Sequence, residues 1–279
     1  MSTALKELSK FTNVHMCSFR SRSFTVMVNN KRVDNEVLSE VPGTGGLLGR
    51  IVRVNSAIEK TTQNSGRTVP PRLVAVSKRQ PVQKVQAAYA EGLRHFGENY
   101  VQELRAKARN LQLGNYNDIK WHFIGHLQCN KIKALIRVSG LWMVESVDSI
   151  KLAHLLNKHW GLDDRDEKLN VMVQVNTNRE EGKSGCSPEK CLEVAQFISE
   201  DCESLNLSGV MTIGKFGHDY SLGPNPDFLT LINCRQVLHN SLAKKMELSM
   251  GMSDDFIEAI SYGSTNVRVG TAIFGPREQ

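Results

Sequence analysis

The sequence lacks several features that would place it in a familiar class. No apolar run approaches the roughly 20 residues that a helix needs to cross a bilayer, so no transmembrane helix is predicted. The six cysteines form no CxxC pair, which argues against a disulfide framework or a zinc site, and reduced thiols are expected. The glycines of "PGTGGLLGR" at 42–50 match neither GxGxxG nor the lysine-containing P-loop, so no nucleotide-phosphate loop is predicted.

The positive charge of the chain is unevenly distributed. The formal net charge is +6, but residues 1–32 contain six basic side chains and one acidic side chain. The rest of the chain therefore carries about +1. Because the body is near neutral, no basic face for nucleic acid is predicted.

The first 45 residues differ in composition from the rest. They are rich in Ser and Thr and poor in acids, as organelle transit peptides are. A disordered extension is the alternative, because "MSTALKELSKF" forms no clear arginine-rich amphipathic helix. We therefore expect a leader over 1–45 and one folded domain over 46–279, in the cytoplasm or, if the leader is a transit peptide, in the mitochondrion.

Short apolar or β-branched runs alternate with segments of helical periodicity from Arg72 onward. An opening helix is predicted from Leu47, whose apolar residues recur at helical spacing. Strands separated by helices must pair in parallel, and eight such units favour an α/β fold, a closed (β/α)8 barrel. An open doubly wound sheet is the alternative. The predicted strands are 72–77, 95–99, 121–126, 142–147, 170–176, 207–214, 247–253 and 266–275.

Lys78 ends the first of these runs, in "LVAVSKRQPV". In a barrel of this kind, the carboxyl ends of the strands face the functional mouth. An amine placed there beside apolar walls loses part of its hydration, which disfavours the ammonium form and allows a Schiff base with an aldehyde. The alternative is a solvated lysine at a strand end.

The last two predicted strands contain the parts of a phosphate site. Loops after the seventh and eighth strands often bind phosphate in this fold. Gly251 and Gly270 permit close backbone approach, Ser249 and Thr271 offer hydroxyl groups, and Arg268 supplies a cation. Together with an imine-forming lysine, these groups suit pyridoxal 5′-phosphate. The alternative is two turn glycines and a surface arginine.

Seven strings, in order from about Arg72 to Gly275, resemble the pyridoxal phosphate homeostasis protein family, whose barrel is similar to the amino-terminal domain of alanine racemase. They are "LVAVSK", "FGENYVQEL", "WHFIGHLQ…NK", "VQVNT", "GVMTIG", "LSMGMSDDF" and "GSTNVRVGTAIFG". The resemblance implies that Lys78 carries the cofactor as an internal aldimine. It implies six further contacts: Ser249, Gly251, Gly270 and Thr271 with the phosphate, Arg268 with the ring nitrogen, and Asn99 in the pocket wall. The family usually has "VSKTKP" where this chain has "VSKRQP", and Arg79 is expected to point away from Lys78.

The family resemblance also implies a function. Relatives are thought to store or deliver the cofactor in vitamin B6 homeostasis, and an arginine at the ring nitrogen disfavours carbanion chemistry. We therefore expect a monomeric carrier with PLP-dependent client enzymes, without strong catalysis and without membrane or nucleic-acid partners.

Three other interpretations compete with the carrier. One is a PLP-dependent racemase or related amino-acid enzyme, although the chain ends just past the eighth strand and leaves no room for the second domain of racemases. Another is a metal site at His122 and His126, but four residues of strand span over ~12 Å, too far for one ion. Each is better interpreted as a hydrogen-bonded barrel histidine. The last is an interaction scaffold without a cofactor.

Overall fold

The structure, a computed structural model, describes residues 46–163 and 165–276. The predicted leader over 1–45 lies outside the described residues, so both interpretations of it stay predictions. Among the described helices, none has the length and apolar character needed to cross a bilayer.

Eight parallel strands close into a barrel in which neighbours in sequence are neighbours in space. The strands are β1 Arg72–Val76, β2 His95–Glu98, β3 Lys120–Phe123, β4 Leu141–Val147, β5 Leu169–Gln174, β6 Leu205–Met211, β7 Glu247–Ser249 and β8 Asn266–Val269. Closure occurs where β1 pairs with β8, Arg72 opposite Asn266 and Ala75 opposite Val269. The (β/α)8 prediction is confirmed, and the open doubly wound sheet is wrong.

Helices surround the barrel and connect the strands. Within the described residues they are α1 Leu47–Asn64, α2 Val82–Ala90, α3 Val101–Leu113, α4 Ile132–Ile136, α5 Ile150–Gly161, α6 Cys191–Asp201, α7 Pro226–Leu242, α8 Phe256–Ser261 and α9 Thr271–Phe274. Short 3₁₀ turns occupy Cys129–Lys131, Pro188–Lys190 and Tyr220–Leu222.

The opening helix α1 is fixed against the closure of the barrel. Ile51, Val54 and Ile58 recur at helical spacing, are buried and form its inner face. The helix packs against α8 and α9, and Arg50 Nε donates to Ile273 O at 2.7 Å. Because α9 follows β8 directly, α1 supports the part of the barrel that carries the predicted phosphate site.

The last two strands are shorter than the sequence predicted. β7 ends at Ser249 and β8 at Val269, whereas strands were predicted to 253 and 275. Gly251 has a φ of +96°, a left-handed conformation that stops β7. After β8, the N–H groups of Ile273 and Phe274 both donate to Gly270 O at 2.9 Å, which starts α9. Gly251 and Gly270 therefore lie in the loops that follow β7 and β8 at the mouth.

The apolar core lies mainly between the strands and the helices. Phe96, Trp121 and Leu104 are almost fully buried in this layer. A second, smaller apolar cluster consists of Met143, Met172 and Met211 on β4, β5 and β6, and polar side chains also occupy the barrel interior. Glu145, on β4, bonds to Asn266, on β8, and because these strands are not neighbours the contact crosses the barrel interior. A hydrogen-bonded network therefore fills the space beneath the mouth.

Candidate functional site

Four strands that are consecutive around the closed barrel end in the predicted site residues. Gly251 follows β7, Gly270 follows β8, Lys78 follows β1 and Asn99 follows β2. Because parallel strands place their carboxyl ends at the same edge, these positions share one side of the mouth. A Cβ at Gly270 would lie 3.4 Å from Val76 O, two residues before Lys78. Closure therefore brings the lysine beside the glycine-containing loop.

The loop that carries Lys78 is held by the backbone on both sides. Ser77 N donates to Gly97 O, and Gln80 N donates to Ser77 O, both at 3.0 Å. Lys78 is half-buried between them. Arg79 adopts a left-handed φ of +57°, rare for a residue with a side chain, and its N–H donates to Glu103 Oε1 at 2.6 Å. The turn that positions Lys78 is thus fixed by specific bonds.

A second lysine lies beneath this loop, and its ammonium group makes three hydrogen bonds. Lys107 Nζ donates to Ser77 O at 2.6 Å, and to Glu98 Oε1 and Glu103 Oε1, each at 2.7 Å. Burial raises the pKa of Glu98, although Lys107 opposes that shift. With three protons donated, Lys107 has no lone pair for an aldehyde. Lys107 instead stabilises the loop that carries Lys78. This role could not be predicted from the sequence, because a position within α3 does not show which groups the side chain contacts.

Backbone N–H groups converge on one hydroxyl oxygen after β7. Ser253 Oγ accepts from Gly270 N at 3.1 Å and from Ala272 N at 3.3 Å. Gly251 is required nearby, since a Cβ there would lie 2.5 Å from the Cβ of Ala259. Thr271 is exposed at the same mouth. Two convergent N–H groups and two hydroxyls are the donors that an anionic oxygen needs.

Arg268 lies below this group of donors and is 4% exposed. Its Nη1 donates to Ser249 Oγ at 2.6 Å and its Nη2 to Thr212 O at 2.7 Å. Glu145 Oε2 is 4.0 Å from Nη1. Burial lowers the pKa of Arg268, while the Glu145 carboxylate opposes that shift. The guanidinium is therefore a fixed cation beneath the mouth.

Glu145 is the centre of the interior network. Burial pushes its pKa upward, but the hydrogen bond from His122, the charge of Arg268 and the hydrogen bond from Ser249 bring it down to about 2. An ionised carboxylate only accepts, so His122 Nδ1 donates to Glu145 Oε1 at 2.6 Å. His122 Nε2 must then accept from His95 Nδ1, 2.9 Å away. Burial lowers the pKa of His122 and that of His95, the latter to about 3, so both rings are neutral.

The two histidines considered as metal ligands in the alternative interpretation lie in different environments. His122 is the hydrogen-bonded barrel histidine that was predicted. The same prediction is wrong for His126, which is exposed and lies beyond the end of β3. The strand stops at Phe123, and His126 lies in the loop that follows it. No group of three candidate metal ligands occurs within residues 46–163 and 165–276.

The predicted cofactor residues divide into two layers. Lys78, Asn99, Gly251, Gly270 and Thr271 lie at the mouth, where Asn99 Oδ1 is buried without a partner among the described residues. Ser249 and Arg268 lie deeper in the barrel. Ser249 donates its one proton to Glu145 and accepts from Arg268 and Asn266, so in this arrangement it has none for a phosphate.

Ser253, which sequence analysis did not name, is the hydroxyl that accepts from the Gly270 and Ala272 N–H groups, whereas Ser249 bonds within the interior network. The sequence does contain a hydroxyl group two residues after Gly251 that could have indicated Ser253. It was missed because a strand was predicted as far as residue 253, where the structure has a loop. Glu145 and Thr212 were also missed, because their contacts with Arg268 cross strands distant in sequence.

Comparison with known proteins gives the family. Residues 55–278 match the family model described as alanine racemase, N-terminal domain. Human pyridoxal phosphate homeostasis protein is 48% identical over 232 residues, covering 81% of this chain and 84% of the human protein. The chain belongs to the pyridoxal phosphate homeostasis protein family. The Caenorhabditis elegans member is 42% identical, with 82% of this chain and 95% of the worm protein covered.

Solved structures agree with this family and fold. PipY of Synechococcus elongatus, in a structure with PLP bound, superposes with a TM-score of 0.69 at 29% identity, covering 82% of this chain and 100% of PipY. Alanine racemase of Corynebacterium glutamicum gives a TM-score of 0.58 at 15% identity, covering 80% of this chain and 62% of the racemase. The second likeness is one of fold alone.

Proposed function

We propose that this chain binds pyridoxal 5′-phosphate at the barrel mouth through a Schiff base with Lys78, and stores or delivers it in vitamin B6 homeostasis. The names of the relatives and the PLP-bound structure of PipY support the cofactor. The observation that carries the proposal is the closure of β8 on β1. It brings the loop that contains the N–H groups of Gly270 and Ala272 beside the end of β1, two residues before Lys78.

The phosphate would bind to the donors after β7 and β8. Ser253 Oγ now receives the N–H groups of Gly270 and Ala272, and an oxygen of the phosphate could take its place as their acceptor. Thr271 adds an exposed hydroxyl, and Gly251 permits the close backbone approach. Ser249 acts one layer below, by orienting Arg268.

Arg268 would face the ring nitrogen. Pyridoxal phosphate supplies an aldehyde and an electron-withdrawing ring when bound, and a cationic arginine keeps the ring nitrogen unprotonated and so weakens electron withdrawal. Glu145 holds the guanidinium charged and Thr212 O holds it in place. Asn99 contributes the unpartnered amide oxygen of the pocket wall. This arrangement supports a carrier better than a strong catalyst.

The cofactor and its lysine can be tested together. The purified protein, after addition of pyridoxal phosphate, should absorb in the visible range, and borohydride should fix a pyridoxyl mass on the peptide that contains Lys78. Lys78→Ala should abolish the adduct, Arg268→Ala should keep it with a shifted spectrum, and the exposed Lys60→Ala should change nothing. A colourless, unmodified wild-type protein, or an adduct that survives Lys78→Ala, would contradict the proposal.

The alternative function is a PLP-dependent enzyme acting on amino acids, which the alanine racemase family model favours. The two functions differ in proton exchange at the α-carbon. We expect the loaded protein to exchange the α-proton of alanine with heavy water no faster than free pyridoxal phosphate does. Exchange well above that rate, lost in Lys78→Ala, would favour the enzyme. Transfer of the cofactor to an apo PLP-dependent enzyme would support delivery.

A further inference from the structure

A cavity of about 330 Å³ opens on the outside of the barrel, beside α3 and the segment that follows α4. The chain enters β4 directly after this segment, so the cavity lies at the amino-terminal ends of the strands. Lys78 and the donors after β7 and β8 lie at the opposite ends. The cavity is therefore separate from the mouth. Its polar lining consists of Arg105, Arg109, Gln112, Arg137 and Ser139.

The three arginines of this cavity have no counter-charge among the described residues. All three are exposed, and none makes a hydrogen bond, ion pair or ring contact with another described residue. Among the described residues that line the cavity, none is acidic. The positive potential is therefore open to a ligand.

The sequence around the cavity shares this charge. Residues 104–144 contain seven basic side chains, one of which, Lys107, is paired with Glu98 and Glu103, and one acidic side chain, Asp118, which pairs with Arg94. The near-neutral charge of the whole body conceals this concentration. Residues at the amino-terminal face of such a barrel usually contribute to stability rather than to function. Three unpaired cations around a cavity repel one another and add no stability.

We propose that this cavity binds a small phosphate-bearing molecule. Guanidinium groups present forked N–H donors that match phosphate oxygens, and several of them can hold one multiply charged group. The volume lies at the lower end of the range for small-molecule sites. Gln112 and Ser139 add neutral hydrogen-bonding groups at the same wall. A long polyanion would extend past the cavity, so a compact ligand suits the site better.

Inorganic pyrophosphate is a suitable probe for titration calorimetry on the full chain at low salt. Since pyrophosphate could also enter the mouth, the variant Ser253→Asp is titrated in parallel, because its carboxylate would accept from the Gly270 and Ala272 N–H groups and repel an anion there. We expect saturable binding that Ser253→Asp retains and that Arg109→Gln or Arg137→Gln weakens at least ~10-fold. Arg109→Lys should bind at an intermediate strength, because it keeps the charge and loses the fork.

Matched controls separate a specific site from general charge. Lys60→Gln and Lys190→Gln each remove one exposed cation far from the cavity and should leave the affinity unchanged. Absence of saturable binding, an equal loss in these controls, or loss in Ser253→Asp alone would overturn the proposal. So would a short oligonucleotide that binds far more tightly than pyrophosphate and depends on Arg109. Loading of Lys78 with cofactor should be unchanged in Arg109→Gln, so failure here leaves the proposed function untouched.

Discussion

Glu145 has no exposed surface, yet it accepts hydrogen bonds from His122, Ser249 and Asn266 and faces Arg268 at 4.0 Å. Glu145→Gln keeps the shape and removes the charge, which leaves the buried guanidinium without a counter-charge. Breaking a buried pair in this way costs about 3 kcal/mol or more. We expect a loss of that order in the free energy of unfolding, measured by urea denaturation.

A second variant tests whether charge causes that loss. Glu145→Gln combined with Arg268→Met removes both charges and should be more stable than Glu145→Gln alone. The exposed Glu59→Gln on α1 should have almost no effect. Equal stabilities for the single and double variants would show that the ion pair is not the reason.

His95 gives the interior network a dependence on pH. Burial lowers its pKa from 6.5 to about 3. Between these two pKa values, the unfolded chain binds a proton at His95 that the folded chain does not. The contribution of His95 to stability is therefore fully present above about pH 6.5 and is lost as pH falls through this window. His95→Gln should lose less stability than wild type between about pH 7 and about pH 5, a range above the titration of most carboxylates.

The measurement is the urea midpoint at the two pH values. Burial lowers the pKa of His122 as well, so part of the acid sensitivity should remain in His95→Gln. His154→Gln removes an exposed histidine on α5 and serves as the control. If His95→Gln and wild type lost the same stability, His95 would not be the group that titrates.

At the scale of elements, the turn after β7 depends on Gly251. Its φ is +96°, and a Cβ would lie 2.5 Å from Ala259 Cβ. Gly263, after α8, has a φ of +89° with open space around it. Gly263→Ala should cost about 1 kcal/mol from backbone strain alone, and Gly251→Ala should cost clearly more because α8 must also move. Thermal unfolding would contradict this if the two variants melted together.

The sequence predicted elements better than it predicted their ends. The spacing of Val82, Val85 and Tyr89 predicts a helix that ends at Gly92, and α2 spans Val82–Ala90. Asn225 followed by Pro226 is a helix-start signal, and α7 begins at Pro226, where Asn225 Oδ1 accepts from Asp227 N at 2.9 Å. Such signals are local. The apolar composition of "GTAIF" does not distinguish a strand from the short helix α9, which depends on bonds to Gly270.

The interior contacts could not be predicted, because they depend on register and closure. Glu145 and Asn266 are 121 residues apart, and no local pattern pairs them. Ser249 and Ser253 both have hydroxyl groups near Gly251, and only the end of β7 decides which enters the interior and which reaches the mouth. Lys78 could be proposed from the sequence because it follows an apolar strand and stands in a string that resembles the family, and its bond to the cofactor stays a prediction.

At the scale of the whole molecule, the proposed cofactor would contact the loops that follow β1 and β8, the two strands whose pairing closes the barrel. Binding to the folded state alone should stabilise it by ~2.7 kcal/mol when free cofactor is 100 times its Kd. We expect the melting temperature to rise steadily with pyridoxal phosphate in wild type and far less in Lys78→Ala. Pyridoxine, which has neither phosphate nor aldehyde, should have little effect. A melting temperature independent of cofactor would contradict the proposed site.

The pairing of β1 with β8 also has a consequence for synthesis of the protein. Lys78 leaves the ribosome long before Gly270 and Ala272, so the nascent chain has its amine well before it has the groups that would hold a phosphate. The cofactor cannot be captured in full until translation has passed β8, and capture would therefore report completion of the barrel. A chain stalled before that point would expose Lys78 as an ordinary amine, reactive towards any aldehyde in the cell.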